Sequence, residues 1–401
     1  MVKMNKRYVN LILLFICQGL NGSIISLLTL TSTLVGNTLS PIDYLSTLPI
    51  TATVCGAALM VYYASMLMEL YGRKVAFIIG NIIGLIGSGL AGVSIIYQSF
   101  ILFILGVFIL GCSTVFNQYY RFASAEIFDD ELNKKRATSI IIGGGILGGV
   151  LGPFLAMKGE YIFPDYHFLG TFLLTSIVCL VVIVIQLFVY VPVELKKEII
   201  DTHHNTNDKN EDLTDLLKSR LFFLATSSCA IGFSLMTLLM NSTPLAMLHA
   251  EFAVEDSAFV LQWHFFAMYA PALILPFLVS RLKTKNIILF GSLFFIIGMF
   301  IAIFVDGFHG FLFSLFFVGL GWAFMFNGGT FLLNGFVNSK FKHKLQGVNS
   351  LIVYLSNMIS SLSVGIVMSY PGGWNILNYI GIILIFIYTI VFFHKKSKII
   401  E

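Results

Sequence analysis

The sequence predicts an all-α membrane protein of twelve transmembrane helices, grouped as two six-helix bundles with the N and C termini in the cytoplasm. Three observations support this: an apolar composition, a series of apolar stretches and a one-sided distribution of basic residues. Of the 401 residues, 57% are hydrophobic and 11% are charged, whereas a soluble domain carries roughly 25% charged residues. Lipid must therefore surround most of the chain. This excludes an ordinary cytosolic enzyme, a secreted disulfide scaffold and a nucleic-acid-binding protein.

Apolar stretches of about 20 residues, the length of a helix that crosses a bilayer, recur along the whole chain. The predicted spans are 8–30, 44–67, 75–96, 99–123, 137–157, 168–192, 221–247, 257–280, 286–305, 309–335, 345–369 and 374–394. The first follows three basic residues, as a signal peptide does, but it is long and has no small-residue cleavage site. It also carries Gln18 and Asn21 in mid-span, so we interpret it as an uncleaved first helix.

Lysine and arginine residues set the predicted orientation, because cytoplasmic loops of membrane proteins carry an excess of them. With the N-terminus placed inside, all 24 basic residues except Lys158 and Arg121 fall in inside segments. Lys158 would lie outside, and Arg121 falls within a span. The bias predicts that both termini are cytoplasmic in a multi-pass protein of the cytoplasmic (inner) cell membrane.

One long polar stretch divides the spans six and six. It predicts an N-terminal bundle over 1–192, a cytoplasmic linker over 193–220 and a C-terminal bundle over 221–401. Segments 68–91 and 279–302 each combine a short basic turn with a glycine-punctuated helix. Such internal repetition is typical of secondary transporters, which bind their substrate between the repeats.

The five cysteines lie inside apolar runs and have no metal-like spacing. They are interpreted as small buried hydrophobic residues. We expect neither a metal site nor a cofactor.

The turn between spans 2 and 3 reads SMLMELYGRK over 65–74. It resembles the loop signature of the major facilitator superfamily. The residues that carry the resemblance are Glu69, Gly72, Arg73 and Lys74. Ser65 and Leu70 depart from the signature.

The fifth span contains GGGILGGVLGP over 143–153, which resembles the Gly-Pro motif of the same superfamily. Its helix-packing candidates are Gly148, Gly149, Gly152 and Pro153. The glycines lack the following Lys–Ser/Thr of a phosphate-binding loop, so they predict close helix contact and a bend. No ATPase motif is visible, which argues against primary transport.

Further segments resemble a set of bacterial permeases, some of whose relatives are associated with riboflavin uptake. These segments are 45–50, 117–126, 243–247, 261–271 and 319–333. The resemblance implies the major facilitator fold and a rocker-switch transporter. Its two bundles would alternate access to a central cavity lined by spans 1, 4, 7 and 10.

The same resemblance implies a cytoplasmic gate at the loop signature. The gate candidates are Glu69, Gly72, Arg73, Lys74 and, as a partner at the end of span 4, Glu126. A carboxylate there can pair with Arg73 or with a helix N-terminus of the other bundle. The alternative is that Arg73 and Lys74 only signal topology.

Polar residues within the spans predict the cavity wall, because polar groups facing lipid are costly. The substrate-binding candidates are Gln18, Asn21, Asn117, Gln118, Arg121, Asn241, Trp322 and Asn327. Each amide could instead serve only in hydrogen bonds between helices. Arg121 could bind an anionic or carbonyl-bearing group, belong to the cytoplasmic gate, or extend to the membrane surface without a role.

The source of the driving force stays open. None of the 20 acidic residues is placed deep in a span, whereas proton-coupled transporters commonly use a buried carboxylate. Either His264 or an acid at the membrane edge couples protons, or the protein is a facilitator. His264 is the candidate proton carrier because imidazole titrates near neutral pH.

These observations favour a monomeric secondary active or facilitative transporter of a small neutral or mildly anionic organic solute, with uptake ahead of efflux. Its partners would be the solute, the lipid bilayer and, in the coupled case, protons. A proton-coupled drug or metabolite efflux pump and a non-transporting receptor stay open. An enzyme would need paired carboxylates, a Ser–His pair or a metal cluster within the bilayer, and none is visible.

Overall fold

A computed structural model gives the architecture of the chain and describes residues 6–125, 127–128, 137, 140–190, 212–279, 282–333 and 341–393. Within these residues twelve helices are long and apolar enough to cross a membrane, which confirms the predicted number. The regular α-helices of these spans are α1 (Lys6–Leu39), α2 (Leu48–Tyr71), α3 (Arg73–Ile96), α4 (Phe100–Thr114), α5 (Gly145–Glu160), α6 (Leu169–Phe188), α7 (Arg220–His249), α8 (Val254–Val279), α9 (Thr284–Phe304), α10 (Gly307–Leu333), α11 (Lys342–Met368) and α12 (Gly373–Phe393); the fourth span continues to Tyr119 and the fifth begins at Ile140.

Successive helices within each bundle are antiparallel, which brings the start of α1 beside the end of α6 and places the first and last described residues on the same side of the molecule. The backbone N–H of Tyr190, after α6, donates to Asn10 Oδ1 at 3.0 Å. The Arg220 guanidinium at the start of α7 donates to the carbonyl of Phe392 at the end of α12. We call this side the terminal side. The opposite side, which carries the α1–α2 connection (40–47), is the distal side. The cytoplasmic location of the terminal side stays a prediction.

Helices α1–α6 pack into one bundle and α7–α12 into another, as the predicted fold requires. The bundles meet where α1 contacts α7 and α8, where α2 contacts α11, and where α5 contacts α8. The predicted linker lies mostly outside the described residues; its described end forms a short helix, Leu213–Lys218. The domain boundaries drawn from the polar stretch stay predictions.

The distal halves of α1 and α7 are enclosed on all sides. Every residue from 26 to 36 and from 235 to 247 is buried, whereas an outer helix would expose one face to lipid. Each of these segments is therefore surrounded by both its own bundle and the other one. The two bundles are closed against each other on the distal side.

Helix α1 continues to Leu39, beyond the predicted end of the first span at residue 30. The extension is rich in threonine, which usually weakens helices. Here threonine hydroxyls donate to carbonyls one turn back, as in Thr31 to Leu27 at 2.9 Å. This back-bonding satisfies the polar group inside the helix, and burial against α7 supplies the packing.

The predicted fourth span is not one regular helix. Helix α4 ends at Thr114 and continues as a 3₁₀ segment, Val115–Tyr119, and a short helix, Tyr120–Ala125. The tighter winding occurs where the chain carries its densest group of polar side chains. Short 3₁₀ stretches within helices often mark functional sites.

Glycines bring α5 close to its neighbours. Gly148 lies against the backbone of Gly22 in α1, and its carbonyl accepts a hydrogen bond from the Ser26 hydroxyl at 2.7 Å. Gly149 lies against Phe265 of α8 in the other bundle. A Cβ atom at Gly152 would collide with Ser26 and with the carbonyl oxygen of Ser23.

We expect Gly152→Ala to destabilise the protein by about 1–3 kcal/mol, because α1 and α5 must separate to admit the methyl group. The matched control is Gly89→Ala in α3, where a Cβ meets no atom within 4 Å and alanine has the higher helix propensity. Thermal unfolding in detergent should give a lower Tm for Gly152→Ala alone. Equal melting temperatures for the two variants would contradict the close α1–α5 contact.

Candidate functional site

A cavity of about 270 Å³ lies between the two bundles. Helices α1, α2, α4 with its extension, α7, α8, α10 and α11 contribute to its lining. The spans expected at the cavity, 1, 4, 7 and 10, are therefore among those that form it. Neither bundle alone encloses the space.

The structure brings most of the predicted binding residues to this cavity. The lining includes Gln18, Asn117, Gln118, Arg121, Asn241, Trp322 and Asn327. Asn21 does not belong to the described lining. A role in solute binding stays a prediction for each of them.

Asn21 belongs to a hydrogen-bond network inside the N-terminal bundle. Its amide donates to the hydroxyl of Tyr120 at 2.8 Å, and the amide of Gln186 donates to the same oxygen at 2.7 Å. The buried Tyr120 ring also packs edge-on against Phe77, with ring centroids 4.6 Å apart. This network joins α1, α6 and the extension of α4.

One wall of the cavity is polar and is supplied by the N-terminal bundle. It presents Gln18, Thr29, Thr53, Thr114, Asn117, Gln118 and Arg121. Within the described lining, Arg121 is the charged residue. The wall therefore offers hydrogen-bond donors and acceptors together with one positive charge.

The facing wall is supplied by the C-terminal bundle and carries a cluster of aromatic rings, together with methionines and the polar residues Thr237, Asn241, Asn327 and Asn357; we call it the aromatic wall. Trp322 and Phe326 of α10 are stacked, with ring centroids 5.2 Å apart and planes 8° from parallel. Phe233 of α7 meets both rings edge-on, at 5.8 Å and 5.6 Å. The ring centroid of Tyr269 in α8 lies 6.2 Å from that of Trp322, and the two rings meet edge-on. Three helices thus hold a cluster of flat apolar surfaces.

Four buried polar atoms of uncharged lining residues have no hydrogen-bond partner among the described residues. They are Asn117 Oδ1, Asn241 Oδ1, Asn357 Oδ1 and Trp322 Nε1. A buried polar atom left unpaired costs about 1–3 kcal/mol. Three acceptors and one donor are thus available to a bound molecule.

His264 lies between α8 and α10. Its Nδ1 is 2.7 Å from the carbonyl oxygen of Leu315, and its side chain is fully buried. His264 is not among the described lining residues. Its role as a proton carrier stays a prediction.

The predicted gate lies at the tight connection between α2 and α3. Gly72 has φ +80° and ψ 161°, a region essentially restricted to glycine. The Lys74 ammonium donates to the carbonyl of Leu187 near the end of α6 at 2.7 Å, and Arg73 lies near Met68. Glu126 and the side chain of Glu69 lie outside the described residues, so the gate stays a prediction.

A buried acid, Glu160, is not apparent from the sequence. Helix α5 ends at Glu160, beyond the predicted end of the fifth span, and the residue is 6% exposed. One carboxylate oxygen lies 3.8 Å from Nδ1 of His167. The pKa of the neighbouring Tyr161 hydroxyl is raised above its ordinary value, mainly because the hydroxyl is partly desolvated. The negative charges of Glu160 and Glu255 raise it further. A span boundary extended by three residues would have included this acid.

Comparison with known proteins agrees with this architecture. The sequence model of the Major Facilitator Superfamily matches residues 11–359. The chain belongs to this superfamily. It is therefore a multi-pass protein of the cell membrane from a family of transporters, as the loop and Gly-Pro motifs predicted.

Related proteins cover most of the chain. The riboflavin transporter RfnT of Brucella anthropi is 28% identical over 371 residues, which is 92% of each chain. The uncharacterized MFS-type transporter YdeG of Bacillus subtilis is 26% identical over 343 residues, which is 82% of this chain and 78% of the relative. A crystal structure of a variant of the nucleoside transporter NupG superposes with a TM-score of 0.72 at 16% identity. It covers 98% of this chain and all of that one, and it confirms the fold.

Asn21 and Asn117 allow a matched test of the site. We expect Asn21→Ala to lower the Tm by several degrees, because it removes a buried hydrogen bond to Tyr120. Asn117→Ala should change it less, because the hydrogen bond that the Asn21 amide donates to Tyr120 has no counterpart at Asn117 among the described residues. Thermal unfolding of the two purified variants checks this. The reverse order would contradict the assignment of Asn21 to the internal network.

Proposed function

We propose that the protein is a secondary transporter, not an enzyme, that moves a small neutral or mildly anionic organic solute across the cell membrane by alternating access. The observation that carries the proposal is the cavity between the bundles, with one polar wall and one aromatic wall. Membership of a transporter superfamily supports it. A relative named as a riboflavin transporter, which covers 92% of the chain, supports an organic solute. Uptake is favoured over efflux because the subgroup that the chain resembles is associated with riboflavin uptake.

A flat heteroaromatic ring with polar substituents fits these two walls best, and riboflavin is our candidate solute. Its ring system would lie against the cluster of Trp322, Phe326 and Phe233, because aromatic rings prefer offset-stacked or edge-on contacts. Its carbonyl and hydroxyl groups would then face Asn117 and Arg121 on the polar wall. Guanidinium is a donor only, so it suits the carbonyl oxygens of such a ring.

On the distal side the bundles meet where α1 packs against α7 and α2 against α11, and we call this contact the distal seam. Alternating access would use the closed distal seam as one of its two end states. In that state α1 and α7 are packed together distally, and the solute would exchange with the terminal side. Rocking of the bundles would open the distal side and close the terminal side. The connection at Gly72, Arg73 and Lys74 lies on the terminal side, where it would stabilise the second state.

We further propose that transport is facilitative. No described lining residue of the cavity is a carboxylate or a histidine, so proton binding there has no evident acceptor. A proton-coupled efflux pump is the second candidate, and it would rely on His264. The two candidates differ in how transport responds to a pH gradient.

Trp322 and Trp263 provide a matched pair for the substrate wall. We expect Trp322→Ala to raise the KM for riboflavin uptake about tenfold, or roughly 1.4 kcal/mol, because a stacking surface is lost. Trp263→Ala should leave KM within twofold, because Trp263 is 43% exposed on the outside of α8 and does not line the cavity. Uptake of labelled riboflavin into proteoliposomes measures both KM values.

Equal effects of the two substitutions on KM would contradict the aromatic wall as the binding surface. An absence of riboflavin uptake by the unmodified protein would contradict riboflavin as the solute.

The driving force is tested in the same proteoliposomes. We expect riboflavin to equilibrate without accumulation, at a rate that an imposed pH gradient does not change. His264→Asn should keep this behaviour, because the asparagine Nδ2 can replace Nδ1 as the donor to the Leu315 carbonyl without a titratable ring. Accumulation driven by a pH gradient and lost in His264→Asn would identify the proton-coupled alternative instead.

A further inference from the structure

A chain of hydrogen bonds runs from the cavity into the distal seam. Asn241 Nδ2 donates to the Ser361 hydroxyl at 3.2 Å, and Ser361 Oγ is 2.7 Å from Thr51 Oγ1. The Thr51 hydroxyl donates to the carbonyl of Thr47 at 3.3 Å. Each hydroxyl has a single hydrogen. Thr51 therefore accepts from Ser361, and the bonds all point from Asn241 toward Thr47.

This chain crosses between the two bundles. Asn241 in α7 and Ser361 in α11 belong to the C-terminal bundle, whereas Thr51 lies in the first turn of α2 in the N-terminal bundle. The neighbouring Gly365 is so close to Tyr44 and Thr47 that a side chain there would collide with them. The hydrogen bonds can therefore form only while the distal seam is closed.

Asn241 also faces the cavity. It is 1% exposed, lines the cavity, and its Oδ1 has no hydrogen-bond partner among the described residues. Thr51 and Ser361 do not belong to the described lining. One planar amide therefore belongs to a residue that lines the cavity, donates from its nitrogen to Ser361, and keeps an oxygen without a partner among the described residues.

We propose that Asn241 couples solute binding to closure of the distal seam. A solute N–H or O–H group donates to Asn241 Oδ1, which fixes the amide plane and strengthens the bond from Nδ2 to Ser361. By linkage, the closed seam then binds the solute more tightly than the open one. Asn241 is a positioning residue for the conformational change, and it selects solutes that carry a hydrogen-bond donor.

The inference rests on the proposed function and makes the recognised group more specific. The imide N–H of a flavin ring or a side-chain hydroxyl meets the requirement. A flavin methylated at the imide nitrogen has the same flat shape but lacks the ring donor. Comparing the methylated flavin with riboflavin therefore distinguishes the contribution of the hydrogen bond to Asn241 from that of stacking on the aromatic wall.

The test measures riboflavin affinity in variants of the seam that do not touch the cavity. We expect Thr51→Val and Ser361→Ala each to weaken equilibrium binding of riboflavin about fivefold or more, because coupling energies commonly give such factors. Thr51→Ser keeps the hydroxyl and should retain the affinity. Ser363→Ala is the matched control, since that hydroxyl lies on the same helix and bonds only within it, to the carbonyl of Ile359.

A second readout follows the seam itself. In a background without the five native cysteines, Ser46→Cys reports distal opening through its reaction with a polar maleimide, because Ser46 is buried in the closed seam. Riboflavin should slow this labelling, and Asn241→Leu or Thr51→Val should abolish the effect. The imide-methylated flavin should protect the cysteine less than riboflavin does.

The outcomes separate the two claims. If the unmodified protein binds no riboflavin, the solute assignment is wrong, and with it the coupling as stated for this solute. If the unmodified protein binds riboflavin and Thr51→Val binds it equally well, with the same protection of the cysteine, the coupling is wrong while the solute assignment holds. Equal losses in Ser363→Ala and Ser361→Ala would also overturn it, because the effect would then be unrelated to the seam.

Discussion

The absence of water from the bilayer core is the constraint on which the rest of this structure depends. Each polar group within the spans must find its partner inside the protein or face a cavity. The threonines of α1 meet this requirement by bonding to carbonyls of their own helix, as Thr31 does with Leu27. Tyr120 meets it by accepting hydrogen bonds from two helices at once. Hydrogen bonds between polar residues thereby help to determine which helix faces pack together.

The same constraint gives meaning to the polar atoms that the described residues leave unpaired. Asn117, Asn241, Asn357 and Trp322 each present such an atom at the cavity between the bundles. A helix contact without a binding role would have paired or removed them, since apolar replacements cost less than unpaired amides. Their convergence on one space, together with a stacked aromatic pair, is the physical basis of the proposed binding site.

The prediction from sequence succeeded where a local property was sufficient. Twelve spans follow from apolar length, and cavity residues such as Gln18 and Trp322 follow from polar or amphipathic side chains placed in spans 1 and 10. It could not supply the local environment where a distant neighbour decides it. Asn21 looked the same as the cavity amides, but the side chain of Tyr120, 99 residues away in sequence, draws it into the bundle. Glu160 looked like a loop acid, yet α5 continues to it and buries it.

By itself, the sequence determined that lipid surrounds most of the chain, how many helices cross the membrane and which superfamily motifs they carry. It also determined the set of polar residues that lipid cannot accommodate. These properties are local, because hydropathy, helix length and short residue spacings can each be evaluated from a few turns of consecutive residues. Only the tertiary structure decided which polar groups pair with each other and which remain available at the cavity. It also decided that Asn241, Ser361 and Thr51 form one chain across the bundles, because three helices distant in sequence must be brought within hydrogen-bond distance before that relation exists.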